Sequence, residues 1–295
     1  MKNLKKYLLA SLISLSITSC SEDSIPVANN VTLEFNNTFA ETTIVLGNET
    51  STEATANTSA EGQTHHFSEL KYIISNIRLV NAEGNEFPYN TQNLDNGATI
   101  IDQSKEATLK YVLSNIPTAD YTQIKFGLGV KAALNTLSEE SFPTFYAAAG
   151  ANDTSLHWYW ATGYRFTKIE GFYGTNNTPL SIHTGSVLGG TKTDESTWSS
   201  AETHARNAYR DITLELTTNA MVGENAPTIK IKADFKNLLS GTKSITLDAA
   251  NEGFTSGTAP SYHSSPDVMV QFVDNIGGNG ETNTKGMFSI TSVEN

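Results

Sequence analysis

Cysteine is almost missing from this 295-residue chain, which holds one, Cys20. A single thiol excludes a disulfide framework and any thiolate metal cluster, so stability must come from an ordinary core. Positive charge is also scarce: 19 Lys and Arg stand against 31 Asp and Glu, a formal net charge of −12. Nucleic-acid binding rests on neutralising phosphates, so a chain this acidic reads as binding no nucleic acid. It is repelled by anionic lipid and concentrates cations. Beyond the first twenty residues no apolar run approaches the length of a membrane span.

Catalytic patterns are missing too. The six histidines show no HxH, HxxxH or HExxH spacing, and no GxSxG marks a nucleophile elbow. No glycine-rich loop joins a strand to a helix. The carboxylates Glu139, Glu140, Glu170 and Asp211 are scattered, without the aromatic subsites that flank a glycosidase pair. No nucleophile–base pair can be placed, and the chain reads as non-enzymatic.

The N-terminus supplies an address. "MKNLKK" is a basic leader, "YLLASLISLSI" is an apolar stretch too short to span a bilayer, and Ile17-Thr18-Ser19-Cys20 follows. A hydrophobic residue, a small residue and cysteine form the pattern of a bacterial lipoprotein signal, which makes Cys20 the lipidated first residue. The expected division is a signal peptide over 1–19, a flexible tether over 20–30 and one domain over 31–295. Losing Lys2, Lys5 and Lys6 with the signal lowers the charge to about −15. Acyl chains then tether the protein, at about 0.8 kcal/mol per buried CH₂. The acidic "SEDS" after Cys20 resembles an export signal of Bacteroidota surface lipoproteins. The expected location is the outer membrane, facing the periplasm or the cell exterior.

What the chain has in plenty is short alternating runs: "VTLEF", "LKYIISNIRLV", "TQIKFGLGV", "RDITLELTT", "TIKIKADF", "SITLDA" and "MFSITSV". Ile124, Phe126, Leu128 and Val130 fall on one face, as a half-buried strand requires. Turns such as "AEGN", "IPTADY" and "DNIGGNG" punctuate the runs. Helical turns are expected only near 134–140 and 202–208, and long loops over 48–64 and 189–200. The expected fold is all-β, an antiparallel β-sandwich of Ig-like or jelly-roll-like type.

The densest chemistry is "SLHWYWATGYRFTKIEGFYG", Ser155 to Gly174. Alternation puts His157 and Tyr159 on one face and Leu156, Trp158 and Trp160 on the other. Paired tryptophans there read first as core, with Tyr164 and Phe166. Lys168 and Glu170 share a face, as a cross-strand ion pair would. His183 in "SIHTGS" sits at a strand end, where it either caps a neighbouring turn or holds a ligand. His65 and His66 must point to opposite faces if extended, so at most one can join a shared site. Their plainer reading is a solvated pair at the start of a strand. His204 and His263 read as loop residues.

In order along the chain, "LKYIISNIRL", "NIPTADYTQIKFGLGV", "LHWYWATGYRFTKIEG", "SIHTGS" and "AYRDITLEL" resemble the motifs of the MbnP-like copper-binding family, in its Bacteroidota branch. "DNIGGNG" and "GMFSI" close the series. The resemblance covers roughly residues 31–293, and WxWxxGYxFxKxEG is its most specific part. It implies an extracytoplasmic β-sandwich that binds copper through histidine nitrogens. A tryptophan oxidised to kynurenine by a dihaem peroxidase-type partner is the implied additional ligand.

The matching histidine is His183, and Trp158 and Trp160 match the paired tryptophans without deciding which is oxidised. His157, with one of His65, His66 or His263, is the candidate to complete the site. Some relatives carry a histidine where this chain has Ser75, and a cysteine after the His183 motif that is absent here. Imidazole suits copper, and Cu(II) tops the divalent affinity order. Met221, Met269 and Met287 are too few for a methionine-rich Cu(I) relay. The leading expectation is copper acquisition or sequestration. Its rivals are a metal-free surface binding or adhesion module on the same fold and an accessory to a redox enzyme.

Overall fold

The computed structural model describes residues 28–136, 138–150, 156–158, 163–186, 189–191, 194–199, 207–247, 266–278 and 286–295. Cys20, Trp160, His204 and His263 lie outside them. The first half of the chain gives β1 (Val31–Phe39), β2 (Thr42–Thr43), β3 (Asn57–Thr58), β4 (Thr64–Asn81) and β5 (Glu86–Pro88). Then come α1 (Leu94–Gly97), β6 (Thr99–Asp102), β7 (Lys110–Leu113), β8 (Ala119–Leu128) and α2 (Pro143–Ala149). Next are β9 (His157–Trp158), β10 (Gly163–Tyr164), β11 (Thr167–Tyr173), β12 (Thr178–Thr184), β13 (Gly189–Thr191) and β14 (Asp194–Ser199). The last are β15 (Arg210–Val222), β16 (Thr228–Asp234), α3 (Asn237–Ser240), α4 (Pro266–Gly277) and β17 (Phe288–Glu294).

Two sheets pack face to face, as the sequence predicts. One has the order β17-β16-β1-β2, with β7 also on β1. The other has the order β12-β11-β4-β8-β15, with β3, β5 and β6 also pairing to β4. Between them Phe35, Tyr72, Phe126, Phe235 and Phe288 interlock edge-on or tilted, with centroid separations of 5.1 to 6.3 Å. Ile124, Phe126 and Leu128 face the main core as their alternation predicts, but Val130, expected on the same face, lies beyond β8 and packs on the sheet's other side, with Gly129 at φ 94° between them. Among the described strands one pair departs from antiparallel order: β1 runs parallel to β16, from Thr32↔Thr228 to Thr38↔Asp234. Parallel neighbours need a long crossover, and here the whole second sheet lies between them in sequence.

A second, smaller cluster covers the other face of the larger sheet. Ile73 leaves β4 on the side away from Tyr72 and Ile74 and belongs to one cluster with Leu94, Phe145, Leu156, Tyr164, Phe166, Met269 and Val273. α1, α2 and α4 thus roof this face. The sequence reading missed α4 and took its end, "DNIG", for a turn. Yet Met269, Phe272, Val273 and Ile276 recur at helical spacing and are all buried. "SITLDA" is not a strand over the described residues. Ile245 and Leu247 reach the core from a segment held by an isolated Ser240↔Ser244 bridge. The loop expected over 189–200 contains the β13–β14 hairpin, and 3₁₀ turns at Ala132–Leu134 and Glu139–Ser141 stand in for the expected helical turn.

Candidate functional site

The β11–β12 hairpin places His183. A turn at Gly174–Asn177, with Gly174 at φ 71° and Asn177 at φ 49°, sets the register Lys168↔His183 and Glu170↔Ser181. Glu170 and His183 are therefore diagonal neighbours on one face, within reach of a long side chain. His183 Nε2 lies 2.5 Å from Glu170 Oε1 and 3.3 Å from Ser181 Oγ. The ion pair expected between Lys168 and Glu170 forms otherwise. Lys168 Nζ reaches Glu69 at 2.8 Å, and Lys71 joins the same carboxylate at 2.7 Å. Burial alone would raise the Glu69 carboxyl, but these two ammonium groups outweigh it and its pKa falls.

Trp158 meets His183 from the roof, with ring centroids 6.5 Å apart. The two sequence motifs fit each other here. A Cβ on Gly185 would come within 2.6 Å of Trp158 Cζ3, so the glycine two residues after His183 makes room for the indole. On the ring of Trp158 sits the guanidinium of Arg165, 5.0 Å from the centroid and 4% exposed as a residue, in cation–π geometry. Neither Arg165 nor Glu170 was singled out as a site residue from the sequence. The signal available was the turn "GTNN", which fixes the hairpin register and sets Glu170 diagonal to His183.

His157 is fully buried and differs from the two-faced strand expected. Leu156, His157 and Trp158 are all buried, because the β9–β10 hairpin is enclosed on both sides. The His157 ring packs against Tyr146 and Tyr164 at 4.7 and 4.9 Å. Its Nε2 lies 3.1 Å from the Thr136 carbonyl, and Nδ1 has no hydrogen-bond partner among the described residues. Burial lowers its pKa, which keeps the imidazole neutral. Tyr164 and Phe166 join the outer cluster rather than the main core.

His65 and His66 lie elsewhere. They are not a solvated pair, since both belong to β4 and His65 is 1% exposed. As expected they face opposite ways. His65 enters the main core against Phe39 and Phe67, and His66 stacks on Phe172 at 5.4 Å. His66 pairs with Phe172 and His183 with Lys168, so about 13 Å of strand separates them, at about 3.3 Å per residue. Neither can share an ion with His183. Ser75 is 2% exposed, and its hydroxyl donates to the Gly129 carbonyl at 2.6 Å. Among the described residues no group of three or more His, Cys, Asp or Glu is placed to hold a metal ion.

The class is defined by the fold: an all-β sandwich with one sheet face roofed by short helices. Within it, the chain belongs to the MbnP family, whose model matches residues 28–260. A solved structure, MbnP from Methylosinus trichosporium, has a similar fold with a TM-score of 0.53 at 14% identity, covering 89% of this chain and 98% of that one. No curated protein matches by sequence.

Proposed function

We propose that this protein is a lipid-anchored, extracytoplasmic copper-binding member of its family, used to acquire or sequester the metal. The observation that carries the reading is the corner where His183, fixed by Glu170, faces Trp158 at 6.5 Å. The donor chemistry there fits copper. His183 offers imidazole nitrogen, which suits copper, while His157, packed against Tyr146 and Tyr164, is a candidate through its place in the motif beside Trp158. A metal-ligating histidine characteristically gives its second nitrogen to a carboxylate, as His183 does. His183 is the anchoring ligand, and His157, His263, Trp158 or Trp160 would complete the set. His65 and His66 are left out on geometry.

The chain itself is read as non-enzymatic. It would be anchored through Cys20 at the outer membrane, with a dihaem peroxidase-type partner oxidising Trp158 or Trp160. One observation favours the rival, a metal-free surface binding module: Ser75 fills a family histidine position with a fully satisfied hydroxyl. Metal analysis and intact mass decide between them, on the form lacking residues 1–20 made in its own host with copper supplied. The copper reading expects about one copper per chain, lost in His183→Ala. An unmodified chain that stays metal-free through a copper titration would sink it.

A further inference from the structure

We infer that Glu170 is the positioning residue of this corner: it holds the His183 ring with its proton on Nε2, so that a metal is met through Nδ1. The part concerning a metal rests on the copper reading above; the proton assignment stands without it.

The geometry assigns the proton. A neutral imidazole has one N–H and one lone pair, and a carboxylate only accepts. At 2.5 Å from Glu170 Oε1, Nε2 is therefore the donor, and the lone pair falls on Nδ1. Ser181 Oγ, 3.3 Å from the same nitrogen, can accept from that N–H as well. Both ring and carboxylate are mostly shielded, with side-chain exposures of 10% and 27%. A charge-assisted bond there is stronger than one in open water.

The surroundings explain why Glu170 turns to His183. Its neighbour across the ladder is Glu69, a like charge, and its neighbour along β11 is Lys168. Lys168 and Lys71 both close on Glu69, so the lysines are drawn to the other carboxylate and Glu170 is left to the imidazole. The backbone aims it further. The β11–β12 register runs unbroken from Thr167↔Thr184 to Tyr173↔Thr178 and keeps Glu170 diagonal to His183, while on the other side β4 takes up the register shift with its extra residue, Ser68. Gly171 permits the close strand approach, since a Cβ there would stand 2.1 Å from the His66 carbonyl oxygen.

The first test needs no metal. Long-range ¹H–¹⁵N correlation spectra of the metal-free wild type, followed to the pH at which the ring is neutral, should show His183 protonated at Nε2 alone. A proton on Nδ1 would overturn the inference. Glu170→Gln keeps the shape but presents an amide that can accept or donate, so the preference for Nε2–H should fade. In the same variant, titrated with Cu(II) alone, copper affinity should weaken about 10- to 100-fold. An unchanged tautomer and unchanged affinity in a folded Glu170→Gln would equally overturn it. If the wild type shows the stated tautomer but takes up no copper, the copper reading fails and the positioning role does not.

Discussion

Strand β11 meets histidines of opposite character at its two ends, His65 of β4 opposite Tyr173 and His183 of β12 opposite Lys168. At one end His65 is sealed between Phe39 and Phe67 in the main core. Its Nε2 has no partner among the described residues, and burial holds its pKa down to about 4. At the other end His183 is nearly as buried, at 8% exposure, but a carboxylate holds one nitrogen and an indole stands over the ring. Burial does not separate an inert histidine from a ligand candidate. The oriented partner on the second nitrogen does.

The largest expected effect is at the sealed end. Phe67→Ala should cost about 3–5 kcal/mol, read from the urea midpoint, because the side chain lies wholly inside the main cluster. A cost below 1 kcal/mol would mean that this end is not core. Close behind comes pH. The unfolded His65 imidazole takes up its proton near 6.5 and the folded one near 4. The unfolded state therefore binds more protons between these values. The His65 contribution is complete above pH 6.5, is lost as pH falls to 4, and levels off below. The loss is about 3 kcal/mol, and comparing urea unfolding of wild type and His65→Phe across that window isolates it. Identical pH profiles would show that His65 is not desolvated.

At the His183 end the effects on folding shrink and those on the metal grow. Gly185→Ala would push a Cβ into Trp158 and should destabilise by about 1–3 kcal/mol through overpacking. It should also lower copper occupancy, which metal analysis reads; a neutral change would mean that the indole moves aside freely. His183→Ala should cost only about 1 kcal/mol, since Glu170 is half-buried and can meet water, yet copper uptake should vanish. A larger thermal shift without loss of copper would reverse the roles of the two ends.

The sandwich was legible in the sequence because half-buried strands alternate, and Ile124, Phe126 and Leu128 state the core face of β8, although Val130 beyond Gly129 packs on the other side. α4 was not, since its twelve residues give little more than three turns and its Asn-Ile-Gly end imitates a loop. His183 and Trp158 were legible as motif positions, but not as neighbours. Their contact depends on the hairpin register, which the turn at Gly174–Asn177 sets, and on the space left at Gly185, but no local pattern shows that Trp158 packs onto that spot. His65 and His66 were misjudged because the flanking Thr, Gln and Ser look like loop, while β4 begins at Thr64 and carries the pair into the sheet. Glu170 was seen as half of an ion pair with Lys168; which partner each would choose turned on Glu69, about a hundred residues earlier in the sequence.

The parallel pairing of β1 with β16 has a temporal consequence. A polypeptide emerges N-terminus first, so Val31–Phe39 is among the earliest of the described segments to appear. β7 can dock on one side of it fairly soon, but its other edge stays bare until Thr228–Asp234 is delivered. Ladders closed between such distant segments form slowly, because most of the chain must be corralled before any bond repays it. The strand that opens the described fold waits longest for this neighbour, and until then it exposes a row of unpaired backbone N–H and C=O groups to whatever surrounds the growing chain.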